Sequence, residues 1–496
     1  MRNFHLFLAT LASVAALTAT AGAANPFADA SATKAKPGPR GQIGALTATG
    51  NAVAAPTQQL EQRTVKQAYS KAARKAQRAQ ASDLKSPSLQ IDYTTGTTEP
   101  TFKRACPVTY AISGNAIEIK GFGGYDKSAT GSVDWQTGTV TVPRQSVYDS
   151  QNYGNCDIVK VNPSYTTIDT TAVITGRIEG GVLTLDPWTL LITSGKYKGY
   201  ILDGVRVRSD FKPANTTMTV GVTDTTGAVT SRDFPVIAEQ TATNQVTLYN
   251  FAGTGSRVNV AVHGDSTMAI APQLILENNN ARYKCYRYDP EKRMFFPYKQ
   301  IKGSAKGGQL QWGSWIINST DGKYYVMMCS GSSVKLPFEL KLPAARTQAG
   351  FKGSGTEADP YLIENVNDLI ALSDSVNFET DIDPVRRCGT KYTGQYFKQT
   401  AAINMNGYKF SPIGGNDDYI RFGGTYDGNG KTISNLTVES VTDGYAALFG
   451  AVDTTGVLKN VRLTNPVIKS GYYYTGTLAA YCQGSIENVT VTGAKV

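Results

Sequence analysis

The 496-residue sequence predicts an all-β protein in which two tandem β-sandwich-like modules are followed by a β-solenoid. Three observations carry that class. From about residue 104 the chain consists of short alternating strings dense in Thr, Val, Ile and Tyr, broken by Gly, Asn and Asp; two halves of this region align at a near-constant offset; and one phrase recurs three times before the C-terminus. Period-two alternation puts every second side chain on one face of a strand, so strings such as GSVDWQTGTVTV and GGVLTLDPWTLLI read as strands and turns.

Residues 1–23 hold Arg2, an apolar run and the small-x-small pattern Ala21-Gly22-Ala23, the form of a Sec-type signal peptide. The expected location is therefore secreted or at the cell surface, including outer-membrane surface association. No later run approaches the 18 consecutive apolar residues that a spanning helix needs. Residues 24–103 read as a basic flexible leader. Between 25 and 100, ten Lys or Arg face five acids, which accounts for much of the net charge of +10. A helix is expected at 58–84, but its apolar face is limited to Leu60, Val65 and Tyr69, so it reads as a solvated tether and no nucleic-acid partner is expected.

The expected modules span 104–212 and 235–341, with linkers at 213–234 and 342–350. Asn115–Phe122 aligns with Asn244–Phe251, Gln145 with Gln273 and Trp188 with Trp315, at offsets of 129, 128 and 127 residues. Such a drift is what small loop changes produce in a repeated unit. The two tryptophans are expected in the cores. Cys156 and Cys285 also stand 129 apart; in an exported chain one or two bridges are expected, with Cys106 and Cys329 as the nearest partners.

Residues 351–496 contain GKTISNLTV, GVLKNVRL and GSIENVTV, whose asparagines Asn435, Asn460 and Asn488 are 25 and 28 residues apart. A period of this size marks a solenoid, each coil being too small to bury its own apolar face. The three asparagines are expected to form a structural ladder at a corner of the coils, with Ile433/Leu436, Leu458/Val461 and Ile486/Val489 pointing inward. The opening Gly353-x-Gly-Thr-x-x-Asp-Pro-Tyr-x-Ile363, the step Leu448-Phe449-Gly450 and the I-x-N-V strands resemble the GLUG-motif regions of bacterial surface proteins. That resemblance covers about 350–496 and implies a right-handed parallel β-solenoid in an exported, adhesin-like protein of the Bacteroidota type. At the second step, Leu478-Ala479-Ala480, alanine stands where the pattern has glycine. GLUG repeats also occur in zinc peptidases that cleave immunoglobulin, but the chain has no H-E-x-x-H helix to carry that activity.

Two histidines, His5 and His263, leave little room for catalysis; no G-x-S-x-G elbow and no phosphate-binding P-loop is present, and neither metal nor cofactor is expected. His263 in VAVHGDS reads as a strand-end residue. Asp427-Gly-Asn-Gly begins like a calcium loop, but Lys431 occupies the fifth position, so a tight turn is expected. The candidate ligand-binding residues are Tyr472, Tyr473 and Tyr474, which can stack on sugars or a protein partner, with Asp417, Asp418 and Arg421. The expected function is binding of a glycan or extracellular matrix protein without turnover. A β-helix polysaccharide lyase or glycoside hydrolase, and a structural spacer, are the alternatives. Because only five residues follow Val491, the chain is expected to continue or to self-associate through the solenoid edge.

Overall fold

The computed structural model describes residues 87–496 apart from 95–99, 163–166, 279–280, 347, 349, 381–387, 416–419, 441–444 and 471–473. The expected signal peptide and the helix at 58–84 lie outside the described residues. The fold is all-β, as expected, but the two modules are closed barrels.

The first contains β1 (Ser88–Thr94), β2 (Thr101–Ser113), β3 (Ala116–Lys120), β4 (Ala129–Asp134), β5 (Thr139–Val142), β6 (Gln145–Ser150), β7 (Gly154–Val161), β8 (Ile168–Asp169), β9 (Ile174–Glu179), β10 (Val182–Ile192) and β11 (Ile201–Pro213). Eight of these close in the order β11-β1-β2-β3-β4-β5-β9-β10, with β10 paired back to β11. The long β10 pairs with β9 through Val182–Leu185 and with β7 through Trp188–Ile192, so β6, β7 and β8 form a flap beside the barrel.

The second barrel repeats this strand for strand in β12 (Thr216–Thr223), β13 (Val229–Ala242), β14 (Gln245–Tyr249), β15 (Arg257–Val262), β16 (Thr267–Ile270), β17 (Leu274–Asn278), β18 (Ala281–Asp289), β19 (Met294–Phe296), β20 (Ile301–Lys306), β21 (Gln309–Trp312), β22 (Trp315–Ser319) and β23 (Tyr325–Lys335). It closes as β12-β13-β14-β15-β16-β20-β21-β23, and β21 and β22 together take the place of β10. Closure leaves the barrel proper without strand edges, and eight strands enclose an interior that side chains fill.

Two expected boundaries are corrected. β1 and the start of β2 belong to the first barrel although they fall in the segment read as leader. β12 and the start of β13 fill the segment 213–234 read as linker. Both first strands close their sheets by pairing on two sides, and β1 carries the polar Gln90 and Asp92 at core positions, which hides its apolar pattern.

Trp188 and Trp315 are fully buried, each in tilted contact with a phenylalanine, Phe122 at 4.9 Å and Phe251 at 5.0 Å. Each indole N–H donates to a serine on the last strand, Ser209 at 2.8 Å and Ser332 at 2.9 Å. Gln145 and Gln273 repeat as clamps: the Gln145 amide exchanges two bonds of 2.7 Å with the Thr130 backbone, and Gln273 does the same with Asn259 at 2.8 and 2.9 Å. A side chain here supplies the pairing that a neighbouring strand would give.

All six cysteines are free thiols, which corrects the expected bridges. Cys285 pairs with Ile317 on β22, and Cys329 with Trp315 of the same strand. The two are thus two strands apart, about 10 Å at ordinary sheet spacing, beyond the roughly 7 Å that a disulfide spans between Cα atoms. Cys106 on β2 and Cys156 on β7 are separated by more strands still.

Leu89, Ile91 and Ala105 of the first barrel pack on Ile237 of the second, and Ala105 N–H donates to the Gly255 carbonyl at 2.8 Å. The second barrel in turn holds the solenoid: Asn244 exchanges bonds of 3.0 and 2.9 Å with the Lys409 backbone, and Arg346 reaches Asp368 at 3.1 Å. The expected linker 342–350 is thus anchored at its middle.

The solenoid stacks parallel strands in four rows. One row runs Tyr361–Ile363, Tyr396–Gln399, Thr425–Asp427, Val457–Lys459 and Ser485–Glu487; another runs Gly389–Lys391, Ile420–Phe422, Phe449–Val452 and Ala479–Cys482. Inside, Phe397, Phe422 and Phe449 stack at 6.0 and 5.3 Å. One end is covered by α1 (Val366–Glu379), which the sequence reading missed. Asn365 caps it by accepting from the Asn367 and Asp368 amides, and Leu369, Leu372 and Val376 lie on the solenoid core. An apolar inner face with a polar outer one is what a terminal cap requires.

The asparagine ladder is corrected into two columns. Asn488 Nδ2 donates to Asn460 Oδ1 at 2.7 Å, and Asn460 Nδ2 to Asp427 at 2.9 Å. Asn435 stands at the next corner of its coil, bonded to Asn404 at 2.9 Å and level with Asn465. The spacing of 25 therefore joins unlike corners, because both corners use the same aliphatic–Asn–aliphatic phrase. All four residues, Asn435, Asn460, Asn465 and Asn488, have φ between 49° and 56°, the left-handed region that asparagine tolerates better than other side chains. In the last coil Ile486 is 49% exposed, whereas its counterpart Leu458 is fully buried.

Candidate ligand-binding face

The outer surface of the row ending in Ala479–Cys482 gathers chemistry from several coils. Strand register places Thr390, Arg421, Ala451 and Tyr481 on outward positions of neighbouring coils. Ala451 is small enough to let the Arg421 guanidinium cross it and lie over the Tyr481 ring, 5.5 Å from its centroid. Tyr445 and Tyr474 precede these strands and sit level through the Ala446–Thr475 bridge; their rings are 4.8 Å apart, with Tyr481 at 6.0 and 6.2 Å. Tyr445 is buried beneath the cluster and Tyr474 is 45% exposed. The three rings thus form a cluster, tilted and edge-to-face, on which Tyr474 is the exposed ring.

Asp453 closes one side. Thr390 donates to it at 2.5 Å, and the Arg421 guanidinium stands 3.8 Å away. Burial works against its charge, but bonds from Thr390 and the Thr454 amide, with Arg421 nearby, hold its carboxyl below the ordinary carboxylate range. It accepts hydrogen bonds at neutral pH. One guanidinium donor, Nε of Arg421, is without a hydrogen-bond partner. Rings, a cation and a carboxylate side by side can stack on a sugar or peptide and bond its polar groups.

Of the predicted residues, Arg421 and Tyr474 are brought together. Tyr472, Tyr473, Asp417 and Asp418 lie outside the described residues. Sequence reasoning missed Tyr445, Tyr481, Asp453 and Thr390. The tyrosines carried a signal, since Tyr445 precedes the Leu448-Phe449-Gly450 step as Tyr474 precedes Leu478-Ala479-Ala480, whereas nothing local relates Thr390 to Asp453, 63 residues on.

Other polar residues nearby or named above are structural. Asp427 Oδ1 accepts from the Asn429 amide at 2.8 Å, and Asn429 and Gly430 have positive φ, a tight turn. Lys391 Nζ donates to the Glu379 carbonyl at 2.9 Å, satisfying the end of α1. His263 follows β15, its amide bonded to the Thr267 carbonyl, with its pKa lowered by burial. Among the described residues no helix is long and apolar enough to cross a membrane.

No protein-family model matches the chain. Halomucin of Haloquadratum walsbyi is 35% identical over 149 residues, which cover 29% of this chain and 2% of Halomucin. A protein of Evansella cellulosilytica named as a Gly-rich membrane protein is 31% identical over 145 residues, 28% of this chain and 15% of that one. The chain thus spans a small part of the curated relatives it matches. Among solved structures, a Bacteroides ovatus protein described as an immunoglobulin A1 protease aligns at a TM-score of 0.20 and 22% identity, covering 26% of this chain and 32% of that one.

Proposed function

We propose that the chain is an exported, adhesin-like surface protein that binds a glycan or matrix protein through the Tyr445–Tyr474–Tyr481 platform, without turnover. The observation that carries this reading is the open Tyr474 ring beside Arg421 and Asp453 on a rigid, stacked scaffold. A preformed face on parallel strands binds without first having to be ordered. The apolar N-terminal run, the resemblance to GLUG-motif regions and the names of Halomucin and the Gly-rich membrane protein support a surface setting. Glycoside hydrolysis uses two acids held about 5–10 Å apart; Asp453, kept ionised, suits the role of acceptor better than that of acid.

The test is binding of the whole chain to a glycan array and to immobilised matrix proteins, beside Tyr474→Ala and Arg421→Ala. Selective binding that falls about tenfold or more in the variants, as loss of a stacked ring and its cation should produce, supports the reading. Release of reducing ends would favour the enzyme, and no binding at all would favour a spacer.

A further inference from the structure

The two barrels share strand order, tryptophan anchors and glutamine clamps, so their divergence is informative where it is concentrated, in the flap. In the first barrel, the β7 residues at alternate positions are Asn155, which is exposed, Asp157, which is half-buried and paired to Arg144 at 2.8 Å, and Val159, which is buried. The aligned positions on β18 are Lys284, Tyr286 and Tyr288. Register carries this face onward: Lys284 stands level with Asn318 on β22 and, beyond it, Tyr325 on β23, while Tyr288 stands level with Phe295 on β19. The Tyr286 and Phe295 rings are 5.2 Å apart, and Tyr324, at the turn before β23, is 63% exposed.

Cations are frequent along the same hairpin. Between 281 and 299 the sequence has Arg282, Lys284, Arg287, Lys292, Arg293 and Lys299 against Asp289 and Glu291. Lys292 and Arg293 are exposed at the β18–β19 turn, and Arg287 lies over Phe296 at 5.4 Å. The flap packs beside a barrel that closes without it, and the first barrel's flap forms with Asn155, Asp157 and Val159 where the second has Lys284, Tyr286 and Tyr288. Their presence is therefore not required by the fold.

We propose that the flap of the second barrel is a binding face for an acidic polysaccharide, one bearing sulfate or carboxylate groups. The exposed Tyr324 ring would stack on a sugar ring and the turn cations would meet the acid groups, whose attraction is long-ranged and screened by salt. This site is separate from the solenoid platform and stands or falls independently of it.

The test uses the whole chain with heparin as the sulfated probe and dextran as the neutral one. Variants are Arg293→Glu combined with Tyr324→Ala, and as a control of similar charge change Lys198→Glu in the first barrel, which is exposed. Heparin affinity should fall about tenfold or more in the flap variant, decline with added salt in the native chain, and be unchanged in Lys198→Glu or in Tyr474→Ala. Dextran should not bind the flap. Equal losses in Lys198→Glu, unchanged heparin binding in the flap variant, or single-stranded DNA held as tightly as heparin would overturn the proposal. Circular dichroism of the flap variant matching the native chain shows that any loss is not unfolding.

Discussion

Asn460 combines two demands that few side chains meet, a left-handed backbone and an amide that both donates and accepts between coils. Glycine would keep the backbone and lose the rung; leucine would lose both. Asn460→Gly should cost about 0.5–1.5 kcal/mol, and Asn460→Leu roughly 1–2 kcal/mol more, read from hydrogen exchange of the neighbouring coil amides. Equal costs for the two would remove the backbone argument. In the first barrel, Asp92 is fully buried, bonded to Arg104 at 2.7 Å and Ser209 at 2.6 Å, where the second barrel has Val220. Asp92→Val alone leaves the Arg104 charge uncompensated and should cost about 3–5 kcal/mol in the first barrel's unfolding, whereas an apolar pair at both positions should restore most of it. Gly450 has a reason visible only in three dimensions: a Cβ there would stand 2.2 Å from the Gly414 carbonyl oxygen.

At the scale of elements, α1 joins the solenoid core to the second barrel through Asp374. Burial, with Glu379 adding repulsion, raises its carboxyl to about 7, while Lys302 and a bond from Gln300 pull it down. A carboxyl whose folded value is raised contributes stability that is fully present below its ordinary value near 4 and is lost as pH rises through about 7. Amides of α1, corrected for intrinsic rates, should therefore be better protected at pH 6 than at pH 8.5, and Asp374→Asn should flatten the difference. A slope unchanged in Asp374→Asn would assign it to another group. The helix itself was legible in principle, in the Asn365-x-x-Asp368 start and the apolar spacing of Val366, Leu369, Ile370 and Val376, but the surrounding strand pattern masked it. β1 and β12 were harder, since their short strings share little sequence and owe their place to pairing with strands far along the chain.

For the whole molecule, the barrel repeat and the solenoid were readable because repetition survives in sequence even when individual strands are short. Barrel closure was not, because pairing of β11 with β10 and β23 with β12 leaves no local mark. Nor was the ladder's true register, which needs the coil corners to be told apart. The ligand face mixes both cases: Tyr474 and Arg421 stood out as residue types, but their meeting across Ala451 depends on parallel stacking of three coils. Contacts link the first barrel to the second and the second barrel to the solenoid and α1.

Hydrogen exchange of the whole chain, with and without the tightest ligand from the glycan array, tests the central claim most directly. The account predicts added protection at Ile420–Phe422, Phe449–Val452 and Ala479–Cys482, the strands beneath the tyrosine platform, and its loss in Tyr474→Ala. Protection confined to other strands, or a footprint on these strands that persists unchanged in Tyr474→Ala, would contradict it.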